Sequence, residues 1–191
     1  MGPAPARARG TGLTDAVVAA AQAGDTDALG TVWTLLSPGV QGYLRSQGAD
    51  DPEGLTSEVF VQVIGKLAGV DGSASGLRTF VFSVAHARLV DERRRRARRQ
   101  PEAPYDPDLD PRRARSAEAL ALEGDGQQRV ADALRYLNEE QAMVITLRVL
   151  GDLSVDQAAR VLGKSPGAVK QLQRRGLLAL RARVENGEVA L

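Results

Sequence analysis

The chain has no cysteine and a single histidine, His86, among its 191 residues. The first absence excludes disulfides and any zinc or iron–sulfur centre held by thiolates. With one imidazole, a histidine-rich metal site is excluded as well. Period-2 alternation of apolar and polar residues, the mark of a half-buried strand, is missing. No apolar run approaches the ~20 residues that a membrane-spanning helix needs. The opening segment, MGPAPARARG, lacks the continuous apolar core of a signal peptide. There is no glycine-rich phosphate loop, and no nucleophile is paired with a base and its orienter. The expectation is a cytoplasmic protein without membrane insertion that is not an enzyme and carries no metal or cofactor.

What recurs instead is helical spacing. Thr14 is placed to cap a helix ending near Ala23, and Gly24-Asp25 breaks it. Asp25 caps a second helix carrying Ala28, Leu29, Val32, Trp33 and Leu36, and Pro38 is expected to start a third. Asp51-Pro52 opens another, with Leu55, Val59, Val63, Ile64 and Leu67 apolar. A loop of turn-forming residues spans Gly69 to Gly76. From about Leu77 a further helix runs into the arginines of residues 93–99. Residues 101–116 hold four prolines among mixed charges, the chemistry of a linker. Helical pattern resumes near Ser116 or Gly126, and Glu139 to Val149 turns Met143, Val144 and Leu147 to one side.

The strongest local pattern lies in LSVDQAARVLGKSPGAVKQLQRRGLLALRAR, residues 153–183. Ser154 and Gln157 have the spacing of a capping box. Ala158, Val161 and Leu162 share a face, and Gly163 suits the left-handed residue that ends a helix. Ser165-Pro166 restarts the chain as N-cap and first helical residue. This is a helix-turn-helix, whose second helix lies in the DNA major groove. On it Leu172, Leu177 and Leu180 are expected inward. That leaves Lys170, Gln171, Gln173, Arg174 and Arg175 for base edges and phosphates, with Ser165 at a helix N-terminus suited to phosphate.

Formal net charge is only +1, but its distribution is uneven. The segments 93–99 and 164–183 each carry a net +6, whereas 50–92 and 102–125 each carry −4. Two basic segments separated by acidic ones suit two contacts with a polyanion, and acidic surface remains for a basic protein partner.

With both halves laid out, the chain resembles the extracytoplasmic-function (ECF) sigma factors of bacterial RNA polymerase. The likeness rests on Gly24-Asp25 with Ala28, Leu29, Trp33 and Tyr43-Leu44. It continues through EGLTSEVF at 53–60, LRTFVFSVAHARLVDERRRR at 77–96, and the segment 147–180 with LGKSPGAVK. These stand in the family's order, with a Pro-rich stretch between. The resemblance implies an all-α fold of two small helical domains joined by a flexible Pro-rich linker, the C-terminal one a helix-turn-helix. Residues 13–100 correspond to sigma domain two, 101–125 to the linker and 126–185 to sigma domain four, with tails at 1–12 and 186–191. It further implies polymerase binding through Glu53, Leu55, Ser57, Glu58 and Gln62. The −10 element falls to Ser73, Ser75, Arg78, Phe80, His86, Arg93, Arg94, Arg95 and Arg96. The −35 element falls to Ser165, Lys170, Gln171, Gln173, Arg174 and Arg175. Core RNA polymerase, promoter DNA and an anti-sigma factor are the implied partners. Gly54, Phe80 and Ala87 depart from the family's usual residues. The rival reading is a stand-alone two-domain helix-turn-helix regulator that binds duplex DNA without polymerase. The linker composition leads to the further expectation that the two domains tumble semi-independently.

Overall fold

The structure is a computed structural model that describes residues 12–99, 133–134 and 136–186. The expected linker therefore lies outside the described residues, as do the distal parts of both tails. Seven α-helices are found among the described residues. These are α1 (Asp15–Gln22), α2 (Thr26–Ser46), α3 (Pro52–Lys66), α4 (Ala74–Arg99), α5 (Glu139–Val149), α6 (Val155–Leu162) and α7 (Pro166–Glu185). A 3-10 turn, Leu67–Gly69, follows α3.

The caps read from the sequence are in place. Val17 N–H donates to the Thr14 hydroxyl, Ala28 N–H to Asp25 and Gly54 N–H to Asp51. Each satisfies one of the amides that a helix start leaves without a partner. Gly54 has a local reason to be glycine, because a Cβ there would run into the capping carboxylate of Asp51. Ser154 and Gln157 form the full capping box, and Gly163 ends α6 in the left-handed conformation at φ 62°. A second capping box, Asn138 with Gln141, starts α5.

Two boundaries differ from the sequence expectation. Pro38 does not start a helix but sits within α2. A proline there forfeits one backbone hydrogen bond. The helix persists because Val32, Leu36, Val40, Tyr43 and Leu44 are all buried on its inner side. The second difference is at α4, which begins at Ala74 rather than Leu77. Its first turn is capped from a distance: Ala74 N–H donates to Asp15 on α1, at 2.7 Å. Ser73 Oγ accepts from Gly76 N–H.

The apolar residues of all seven helices form one cluster, in which Val144, Leu147, Leu153, Ala158 and Val169 join Val18, Leu36, Phe82 and Leu89. The expectation of two separately tumbling units is thus not how the described residues pack. The seam runs where Leu150 and Gly151 leave α5. A Cβ on Gly39 of α2 would lie 2.7 Å from the Leu150 carbonyl oxygen. A Cβ on Gly151 would lie 2.6 Å from the Leu147 oxygen and 3.2 Å from the Phe82 ring. The next residue, Asp152, takes φ 50°, a conformation Asp tolerates better than most.

These clearances set the sign of three substitutions. Alanine is favoured over glycine within helices by roughly 1 kcal/mol. Gly30→Ala and Gly65→Ala, with nothing within 4 Å of the added methyl, should stabilise the chain by about that amount. Gly39→Ala should destabilise it by ~1–3 kcal/mol, because the seam must open to admit the methyl. Urea midpoints of the three variants against the parent give the comparison.

Candidate polymerase and nucleic-acid interface

Three surfaces carry the residues singled out by sequence. The first is the outer side of α3, where Glu53, Ser57 and Glu58 are exposed. Gln62 is half-buried, and its carbonyl oxygen accepts from Arg88 Nε at 3.0 Å. Leu55 lies in the core at 5% exposure and is not part of this surface. Three apolar side chains stand there instead: Trp33 is 43% exposed, Val61 74% and Ile64 51%. The Trp33 ring meets the buried Phe60 edge-on, with centroids 4.7 Å apart. The sequence shows Trp33 and Ile64 only as apolar members of their helices, because helical spacing alone does not separate the core stripe from an apolar residue one position off it. Val61 had a legible signal, since it lies opposite Val59 and Val63. Apolar groups rimmed by carboxylates suit a protein partner with basic edges.

The second surface is an open groove of about 830 Å³, formed by the end of α3, the turn after it and the start of α4. Lys66, Asp71, Ser75, Phe80, Ser83 and, from α6, Arg160 line it. Gln22 ties the turn after α3 by donating to the carbonyls of Leu67 and Val70 at 3.0 and 2.9 Å. Of the residues assigned to the −10 element, Ser75 and Phe80 face this groove. Ser73 caps α4 and also donates to Asp71. Arg78 is turned toward the C-terminal half, with Nη1 donating to the Gly151 carbonyl at 3.3 Å.

Further along α4 the arginines divide. Arg93 pairs with Glu139 of α5 and donates to the Gln47 carbonyl at 2.6 Å. Arg96 donates to the Gly48 carbonyl at 3.1 Å and pairs with Asp50 at 3.4 Å. Both are half-buried and serve to fix the end of α2. Arg94 and Arg95 are exposed on the other side of the helix. Position along the run determines this split, since 93 and 96 share a face at helical spacing.

His86 does not face the groove. Its Nδ1 is 2.9 Å from the hydroxyl of Tyr43, which is wholly buried. Burial pushes the Tyr43 phenol up and the His86 imidazole below its ordinary value of 6.5. The guanidinium of Arg93 lowers His86 further, against a smaller raising effect of Glu139.

The third surface is α7. Lys170, Gln171, Arg174 and Arg175 are exposed and adjacent at helical spacing. Gln173 is half-buried, its carbonyl oxygen accepting from Arg148 Nε at 3.3 Å. Ser165 serves as N-cap, accepting from Ala168 N–H at 3.2 Å. Val169 and Gly176 take the buried positions. Leu177 was expected inward but is 49% exposed, and Leu178 beside it is 55% exposed. The inward place belongs to Gly176, where a Cβ would lie 2.6 Å from Ile145 Cδ1, so α7 lies too close to α5 for a side chain there. No group of residues fit to hold a metal ion is found among the described residues. No described helix is long and apolar enough to cross a membrane.

Residues 127–180 match the family described as Sigma-70, region 4. Over 167 residues the chain is 34% identical to the ECF RNA polymerase sigma factor BldN of Streptomyces coelicolor, covering 86% of this chain and 63% of that relative's length. It is 30% identical over 176 residues to the ECF RNA polymerase sigma factor SigD of Mycobacterium tuberculosis, covering 87% of this chain and 82% of the relative. Among solved structures, CnrH in complex with the cytosolic domain of CnrY superposes with a TM-score of 0.62 at 24% identity, over 91% of this chain and 98% of that one. The sigma factor RpoE in complex with the anti-sigma factor NepR from Bartonella quintana gives 0.61 at 18% identity, over 81% and 95%. Both are likenesses of fold.

The single histidine makes one pH effect assignable. Its imidazole is held below its ordinary pKa, so the unfolded chain binds the proton more readily than the folded one. Stability from this group is then present above pH ~6.5 and falls as pH drops below it. Urea midpoints between pH 5.5 and 7.5 should fall toward the acid end. His86→Gln should flatten that trend, and an equal slope in the variant would assign it to other groups.

Proposed function

This chain belongs to the ECF RNA polymerase sigma factors, and we propose that it acts by binding, joining core RNA polymerase to promoter DNA at the start of transcription. The observation that carries this reading is the exposed row Lys170, Gln171, Arg174 and Arg175 on the second helix of a fully capped helix-turn-helix. Arg reads guanine edges and Gln adenine edges in the major groove. In this role α7 meets the −35 element, with Gln173 and Ser165 supporting rather than leading. The α3 surface is the polymerase face, with Glu53, Ser57 and Glu58 around Trp33, Val61 and Ile64. Melted −10 DNA lies along the groove at the start of α4, where Phe80 offers a ring for a base and Ser75 offers a polar contact. Arg94 and Arg95 meet the phosphates beyond it.

A stand-alone regulator has no use for an acidic, apolar face on α3, so the polymerase reading is preferred. The site of action is the cytoplasm. An anti-sigma factor is a natural further partner, as NepR is for RpoE in the solved complex. Residues 13–100 and 126–185 are the two functional units of the reading, even though their helices share a core.

Two measurements test it. Val61→Asp and Trp33→Ala should weaken capture of core RNA polymerase, Trp33→Ala by ~2 kcal/mol as a partly buried aromatic anchor would. Neither should alter binding to duplex DNA. Arg174→Ala and Gln171→Ala should do the reverse, relaxing discrimination at −35 by ~1–3 kcal/mol per lost base contact. Loss of polymerase by the α7 variants instead would overturn the division of surfaces. Separately, Arg94→Ala with Arg95→Ala should reduce the slope of log affinity against log salt by up to about two, at ~0.9 per phosphate contact.

A further inference from the structure

The groove at the start of α4 has two walls of different kinds. One is α4 itself, held by its own helical ladder and bonded once more from α6. There Gln157, 7% exposed, accepts from Ser154 N–H at 2.6 Å with its carbonyl oxygen. Its amide nitrogen donates to the Ser75 carbonyl at 3.0 Å, with the Ser75 hydroxyl at 2.8 Å and the Thr79 hydroxyl at 2.9 Å. The other wall is the turn after α3, where Ala68, Gly69, Val70 and Asp71 line the groove. Its own ladder is a single 3-10 bond, from Val70 N–H to the Leu67 carbonyl at 3.1 Å. One bond of that kind holds a chain of small residues weakly.

The turn is held instead from α1. Asp15, Val18 and Gln22 share one face of that helix at spacings of three and four. Val18 is wholly buried, and the polar residues flank it. Gln22 donates to the carbonyls of Leu67 and Val70, and Asp15 accepts from Ala74 N–H at 2.7 Å. Residues 67 and 74 are the two ends of the loop, so the roughly 10 Å of helix between the two side chains acts as a strut across it. Within the loop, Ser73 bonds Asp71 through its N–H and its hydroxyl at 3.3 and 3.2 Å. A Cβ on Gly76 would lie 2.8 Å from the Asp71 carboxylate, so the loop closes tightly on α4. All these ties lie within residues 12–99 and do not depend on how the halves meet. We infer that Gln22 and Asp15 are positioning residues for base reading at −10: from outside the groove, α1 fixes the loop wall and so decides which base fits against it. The inference rests on the proposed assignment of the groove. Phosphate contacts and stacking on Phe80 tolerate a loose wall, because neither depends on base identity. Hydrogen bonds to a base edge do not, because they weaken steeply with distance and angle. Loss of the strut therefore costs preference among bases more than binding as such.

The test uses the full chain bound to core RNA polymerase. A short single-stranded DNA pool of random sequence gives the strand the parent selects, and competition against its single-base variants gives the preference. Gln22→Met keeps the length of the side chain and removes the donor. It should lower the preference by roughly tenfold, the fold-change of one to two net hydrogen bonds, while the mismatched strands bind nearly as to the parent. A ratio between two strands cancels any loss of folded protein, so a merely structural role does not move it. Gln22→Lys, whose ammonium donates to the same two carbonyls, should restore most of the preference, whereas Gln22→Glu, which has only acceptors to offer them, should not. The ratio also cancels the effect of the added charge on affinity. Asp15→Ala should shift the preference the same way by less, because the freed Ala74 N–H lies at a helix start open to water. In the free chain, hydrogen exchange at the Val70 amide should quicken about tenfold in Gln22→Met, with the α5 amides unchanged. Capture of core RNA polymerase should match the parent. An unchanged preference, affinity lost equally for every strand, or failure of Gln22→Lys to restore it overturns the inference. A parent with no base preference at all overturns the −10 reading itself, and that is seen before any variant is made.

Discussion

The whole arrangement depends on one close approach. Where the chain leaves α5, the backbone at Leu150 and Gly151 passes so near α2 and the Phe82 ring that no Cβ fits at Gly39 or Gly151. That approach sets the position of α5 against α2, with Ser46 donating to the Thr146 hydroxyl at 3.4 Å. It places α6 across α4, and α7 packs in turn on α5 and α6. Backbone-to-backbone proximity of this kind is rigid in a way that long side chains are not. Small changes at the seam are therefore felt at surfaces far from it.

Charge is used twice along α4 for opposite ends. Arg93 and Arg96 turn inward to carbonyls and carboxylates at the ends of α2 and α5, whereas Arg94 and Arg95 stay in water. A run of like charges repels itself, and pairing Arg93 and Arg96 with carboxylates relieves part of that cost. Arg93 also lies close enough to His86 to disfavour its protonation. The basic run is thus partly structural, a bolt for the far end of the helix.

Much of the architecture was legible in the sequence because it is local. Thr14, Asp25, Asp51, Ser154, Gly163 and Ser165 each act within one helical turn, and each does what its residue type and spacing imply. The misses share a different cause. Pro38 was read as a boundary because its local cost was visible, while the tertiary burial that outweighs it was not. Leu177 was assigned inward because nothing local says that Gly176 lies against Ile145. Ala74 N–H is capped by Asp15 from a distant helix, and no spacing rule reaches that far. For the candidate site, the exposed row on α7 was readable from charge and helical period. The engagement of Ser75, Arg78 and Arg93 by the other half was not, because it depends on how the halves meet.

The double use of Gln157 bears on how this sequence is free to drift. One side chain must supply an acceptor to its own helix and a donor to another, in a space nearly closed to water. Glutamate meets the first demand alone, leucine neither, and asparagine lacks the reach to span both. Substitution at 157 is therefore tied to substitution at 75 and 79, 82 and 78 positions earlier in the chain. Among descendants of this sequence those three sites should change together or not at all, and their joint variation would record the docking of the two halves in sequence alone.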